Sequence, residues 1–162
     1  MPRHVLSVFV GPAFIPAYQI LVPQHTEAAP ELHISVVFTN FEDTKQALRA
    51  AANLSTGLSA DIDLVVPEIV PYPLPLVRPD VPPGFTLRRL MDLAREAEVQ
   101  PSIHVYLCRD KVQTLLQVLH RRSVVVLGSK TRWFPTKPII LARVLRRKGH
   151  QVILVKCRKN LT

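Results

Sequence analysis

The residues best suited to chemistry follow an apolar run near the end of the chain. Ser123-Val124-Val125-Val126-Leu127 leads into Gly128-Ser129, and Lys130, Arg132 and Thr136 come just after. Glycine lets backbone N–H groups approach a phosphate, and cationic and hydroxyl side chains can neutralise it and hydrogen-bond to it. Two large aromatics, Trp133 and Phe134, lie among the three cations Lys130, Arg132 and Lys137. Either they stack on a base or a guanidinium, or they plug the cleft that a ligand would occupy, which is the commoner use of apolar bulk beside a core.

Other chemistry is harder to assemble. No Ser/His/Asp order, His-Glu-x-x-His or paired-carboxylate pattern can be argued. His104 lies inside a predicted strand, His120 near a helix end, and His150 opens the last strand. Asp63 and Glu68 flank a strand and are expected to be solvated. Cys108 and Cys157 lack metal-ligand spacing and are expected to be reduced, partly buried thiols at the ends of two strands on opposite edges of a sheet. The expectation is therefore no catalytic residue, no metal and no enzyme activity.

The elements that must position the Gly128 loop can be read from periodicity. Strands are predicted over 33–39, 62–66, 103–107, 123–128 and 151–155. The helix after the first strand is expected to be capped by Asp43 or Thr44. Its apolar positions are Ala47, Ala51, Leu54 and Leu58, and Gly57 stops it. Seven prolines between 67 and 83 predict an extended, polyproline-like connection. A helix capped by Thr86, with Leu87, Leu90, Met91 and Ala94 on one face, follows it. Alternation in Ile103-His104-Val105-Tyr106-Leu107 suits an edge strand. Asp110 caps a third helix, and a fourth, from Pro138 to Lys148, stops at Gly149. Strands this apolar, alternating with helices, call for an α/β fold: a five-stranded parallel sheet with helices on both faces and right-handed crossovers. Ligand sites in such sheets lie at the carboxyl ends of the strands, where Gly128 stands.

Charge is divided unevenly. Residues 1–98 hold 7 Lys/Arg against 11 Asp/Glu, whereas residues 99–162 hold 14 against 1. The last helix contributes Arg143, Arg146, Arg147 and Lys148, which either offset the helix dipole or join Arg121, Arg122, Lys156, Arg158 and Lys159 in a polyanion-binding surface. Residues 5–22 carry no charge, but Gly11-Pro12 and Pro16 would interrupt a membrane helix. Two short extended pieces, 5–10 and 18–22, are expected instead, packed on the domain or on a partner chain. The chain divides into an apolar arm (1–30), an α/β domain (31–157) and a basic tail (158–162). A cytoplasmic protein without membrane association is expected.

From about Ile34 to Val155 the chain resembles the universal stress protein family. The resemblance is carried by Val36-Val37-Phe38-Thr39-Asn40-Phe41-Glu42-Asp43-Thr44-Lys45-Gln46-Ala47-Leu48, by the fourth strand with Gly128-Ser129, and by the closing helix and strand. It implies the sheet order 3-2-1-4-5, dimerisation through the last strand and a stress-related regulatory role. A nucleotide site in the family's place would use Thr39, Asn40, Val66, Gly128 and Ser129, to which the basic loop read above adds Lys130, Arg132 and Thr136. ATP-binding members carry Gly-x-x-Gly, nine residues, then Gly-Ser/Thr. Here Gly128 matches the first glycine, the second falls on Thr131, and the closing pair falls on Pro138-Ile139. The family's aspartate after the first strand falls on Thr39. The resemblance thus implies a regulatory or interaction domain, homodimeric in the family's manner, with nucleotide binding weakened or lost and no resident cofactor. The alternatives are a binder of ATP or another phosphorylated ligand at the Gly128 loop, and an adaptor for nucleic acid or another acidic surface.

Overall fold

The computed structural model describes residues 5–10, 15–20 (backbone only), 32–58, 60–130 and 136–157. In chain order the elements are β1 (Leu6–Val10), β2 (Ile15–Ile20), β3 (Leu32–Val37), α1 (Phe41–Ser55), β4 (Ala60–Ile69) and α2 (Pro83–Glu96). They continue with β5 (Ser102–Cys108), α3 (Lys111–Val118), β6 (Ser123–Lys130), α4 (Lys137–Arg147) and β7 (Gln151–Cys157). All seven strands form one sheet in the order β2-β1-β5-β4-β3-β6-β7. The expected five-stranded parallel order is contained within it as β5-β4-β3-β6-β7.

The difference lies at the β5 edge. β1 pairs parallel to β5 from Leu6↔Ile103 to Val10↔Leu107, and β2 pairs antiparallel to β1. β5 is therefore an interior strand. Its alternation reports a half-covered face, because Phe9 of β1 stacks on Tyr106 at 4.8 Å and lies 6.1 Å from His104. The uncharged early pieces thus extend the domain's own sheet; the second begins at Ile15, ahead of the expected 18, and residues 21–22 of that expectation lie outside the described residues.

Side-chain alternation splits the core into two layers. Ile34, Val36, Leu64, Val66, Ile103 and Val105 pack with Ala47, Leu48, Leu87 and Leu90 of α1 and α2. Val37, Val65, Val125 and Leu127 pack with Leu115, Leu141 and Leu145 of α3 and α4. Leu54, Leu58 and Met91, placed by periodicity on apolar faces, are exposed.

Local chemistry moves several boundaries. Asn40, not Asp43 or Thr44, caps α1: its side chain accepts from the Asp43 amide at 2.9 Å. α2 begins at Pro83, before Thr86; Pro suits a first helical turn because its missing N–H would have no partner there. β4 runs through Pro67, which pairs with Tyr106 of β5. The β3 ladder has already ended at Val65, so no neighbour on that side needs a proline N–H. Beyond β4 the prolines form turns, with Leu74 N–H donating to Pro71 O and Arg78 N–H to Pro75 O. Leu74 and Leu76 pack on the core, which an extended connection would not permit. The Arg109 guanidinium holds this segment by donating to the Leu74 carbonyl at 2.6 Å and lying 4.1 Å over the Tyr72 ring.

Candidate functional site

β3 and β6 are neighbours whose following helices leave toward opposite faces of the sheet, so a crevice is expected at their carboxyl ends. A cleft of about 390 Å3 is present there. Thr39 and Asn40, after β3, line its floor, with Lys111 and Val112 from α3 and Lys137, Pro138, Ile140, Leu141 and Val144 from α4. Most of its wall is apolar, and two lysines supply the charge.

Each lysine is placed by its helix start. Asp110 caps α3 by accepting from the Gln113 amide at 2.9 Å, which sets Lys111 at the first helical position. α3 is the crossover from β5 to β6, and Lys111 Nζ reaches the carbonyl of Phe38, at the end of β3, at 3.3 Å. Burial pushes the Lys111 ammonium below the usual lysine range, and Lys137 nearby adds to that push. An anion in the cleft would relieve both effects. α4 opens with Lys137 and Pro138. Its N-cap Thr136 makes no capping bond; the hydroxyl instead meets Ser129 Oγ at 2.9 Å.

The sequence-predicted site residues divide between this cleft and its surroundings. Thr39 and Asn40 line it. Ser129 is buried beside it and bonded to Thr136, whereas Lys130 is exposed. Val66 sits in the α1/α2 layer of the core, away from the cleft. Gly128 faces the α1 backbone: a Cβ built there would stand 2.0 Å from the Asp43 carbonyl oxygen. Arg132, with Trp133 and Phe134, lies outside the described residues. Lys111 and Val112, just after the Asp110 cap, are not among the sequence-predicted site residues. Lys137 had been read only as a loop cation. The Asp110 cap was a signal for where α3 begins, but not for what its first residue reaches.

Behind Gly128 the packing is close. Thr39 Oγ1 donates to the Gly128 carbonyl at 3.4 Å, and Thr44 Oγ1 accepts from the Thr39 amide at 3.1 Å. Asp43 is 3% exposed; one carboxylate oxygen accepts from Asn40 Nδ2 at 2.6 Å, and the other has no hydrogen-bond partner. Cys157 Sγ approaches the Asp43 carbonyl at 3.9 Å. Burial, with the Asp43 charge adding to it, pushes this thiol up to about 11. Cys108 and Cys157 are both free and are buried, not partly buried; Cys157 ends the edge strand β7, but Cys108 ends β5, which is interior and not the opposite edge expected.

The two carboxylates expected to be solvated are half-buried. Asp63 lies 3.6 Å from His104 Nε2. Glu68 keeps one buried oxygen without a hydrogen-bond partner, and burial raises its carboxyl above the usual range. No group of three or more metal-ligating side chains is found among the described residues, nor a helix long and apolar enough to cross a membrane.

No family model and no curated protein matches the sequence. Solved structures do. A protein of the universal stress protein family from Burkholderia pseudomallei aligns with a TM-score of 0.50 and 18% identity, covering 76% of this chain and 94% of its own. A universal stress protein in complex with cAMP aligns at 0.51 and 18%, covering 79% and 98%. A universal stress protein from Archaeoglobus fulgidus aligns at 0.50 and 16%, covering 78% and 95%. With its strand order and its helices on both faces, the chain has a universal stress protein-like fold, extended at one edge by the β1–β2 hairpin.

Proposed function

We propose that this chain is a stress-related regulatory domain, not an enzyme, whose cleft takes up a small phosphorylated ligand of the nucleotide class with modest affinity. The observation that carries the reading is the meeting of Lys111 and Lys137 in one largely apolar cleft at the carboxyl ends of β3 and β6. Two ammonium groups can neutralise a phosphate, and the apolar wall can accept a base. The structural neighbour in complex with cAMP supports the ligand class. Side-chain cations here stand in for the family's glycine cradle, since Gly128 is occupied by α1 and Pro138 has no N–H to offer. Flexible lysines hold a phosphate with less preorganisation than fixed backbone amides, which is why the affinity is modest. Cytoplasmic placement and homodimer formation belong to the same reading.

Calorimetric titration with ATP and with cAMP tests it, alongside Lys111→Met and Lys137→Met. Saturable binding weakened by both substitutions supports the cleft. Binding that both variants retain would move the site elsewhere, and silence up to millimolar ligand would leave only the interaction role.

A further inference from the structure

Residues 99–162 carry a single acid against 14 Lys/Arg, and the fold gathers these cations. Arg121, Arg122, Arg143, Arg146, Arg147, Lys148 and Lys156 are all exposed. Among the described residues none of the seven forms an ion pair. The sole acidic residue after Glu98 is Asp110, which caps α3 at the opposite, carboxyl edge of the sheet.

Topology brings five of these cations to the amino edge. Arg121 and Arg122 form the turn into β6, which begins at Ser123. Arg146, Arg147 and Lys148 end α4 just before β7, whose Gln151 pairs with Val124 of β6. Arg146 is tied down over β7 by its bond to the Val152 carbonyl at 2.8 Å. Arg143 continues the array one turn back along the exposed side of α4. Beside the Arg121–Arg122 turn, the rings of His33 and His120 lie 5.3 Å apart. Asp61, opposite His33 on β4, is the acid nearest by register among the described residues.

Offsetting the helix dipole accounts for cations in the last turn of α4. It does not account for Arg121 and Arg122, which sit on a turn. Unpaired like charges at one edge repel each other, and an anionic partner removes that cost. The array is spread over the convex side of a helix and the adjoining turn, with about 7.5 Å of helix axis between Arg143 and Lys148 alone. That spread suits a chain of phosphates better than a single one. The paired imidazoles provide planar polar rings beside the arginines, a setting for unstacked bases and not for acyl chains.

We propose that this amino edge is an interface for a nucleic-acid backbone, contacted chiefly by Arg121, Arg122, Arg143, Arg147 and Lys148. It lies at the opposite end of the sheet from the Lys111–Lys137 cleft and works independently of it.

The test is fluorescence anisotropy of the full chain with short labelled single-stranded RNA, single-stranded DNA and duplex DNA. Five phosphate contacts to a single strand give a slope of log K against log salt near −3.5, a loss of roughly 100-fold between about 50 and about 200 mM salt. Substituting Arg143→Gln, Arg147→Gln and Lys148→Gln together is expected to bring the slope to about −1.4. The same variant stays folded, its unfolding midpoint moved by no more than a few degrees because the three exposed residues act on α4 only through its dipole, and Lys111→Met keeps the full slope. Preference among the three probes identifies the nucleic acid. No binding at the lowest salt, an unchanged slope in the triple variant, or binding to phosphatidylserine vesicles without binding to any of the three probes would each overturn the proposal.

Discussion

The two faces of the sheet at the carboxyl end of β6 make opposite use of the same few residues. On the α1 face the backbone of Asp43 lies against Gly128, leaving no room for a Cβ. On the α3/α4 face the helices part, and Lys111 and Lys137 line an open cleft. A glycine near the end of a strand therefore has two readings that its sequence context does not separate. It can let a phosphate approach the backbone, or it can let a helix do so. Here the helix occupies the place, and charge recognition is left to side chains across the sheet.

The comparison is broken most forcefully at Gly128. Gly128→Ala places a carbon 2.0 Å from a backbone oxygen that belongs to the first turn of a buried helix. The expected loss is about 3 kcal/mol or more, or a fall of roughly 6–12 °C in the unfolding midpoint for a chain of this length. A glycine reserved for a ligand would leave the midpoint almost unmoved, so thermal unfolding distinguishes the two roles.

The closed face can also be loosened through its cap. Asn40→Ala removes the acceptor for the Asp43 amide and the donor to the Asp43 carboxylate. A loss of about 2 kcal/mol in chemical denaturation is expected. Asn40→Asp, which retains the capping acceptor but sets a second carboxylate beside Asp43, is expected to recover only part of it.

The open face responds in the other currency. Lys111→Met and Lys137→Met are each expected to weaken the ligand about tenfold, near 1.4 kcal/mol. Stability should hardly change, since Lys111 is already held below its usual range by burial. An anion bound in the cleft restores that range. Binding at alkaline pH is therefore expected to take up protons, read by calorimetry in buffers of different ionisation enthalpy.

The smallest effect concerns alkaline pH. Cys157 rises from an ordinary 9.0 to about 11, and Tyr106 from 10.0 to about 12, burial being the first cause of each. Both groups are held neutral in the fold and ionise more readily in the unfolded chain. Their share of stability is complete below about pH 9 and drains away as pH rises toward 12. Cys157→Ala should flatten the lower part of that decline. At pH 8 a thiol of this kind is only about one part in a thousand thiolate, so iodoacetamide should label it far more slowly than in the unfolded chain.

Much of the fold was legible in the residues themselves. Continuous apolar runs such as Val124–Leu127 marked strands buried on both faces, and Asp110, Gly57 and Gly149 marked helix ends. The proline run misled because proline content excludes regular elements without choosing between an extended path and successive turns. The candidate site was legible only in part. Thr39 and Asn40 follow a strand and were found, whereas Lys111 looked like any exposed first residue of a helix.

By itself the sequence determined which segments become strands and helices, their alternation, and the separation of charge between the two halves of the chain. These follow from local periodicity and composition, which record how much of each segment must leave water. Only the tertiary structure decided that β1 joins β5, that α1 fills the space beside Gly128, and that Lys111 meets Lys137. Each of those is a contact between residues remote in the chain. It depends on the path of a crossover and on the depth to which a helix settles on the sheet, and no local pattern encodes either.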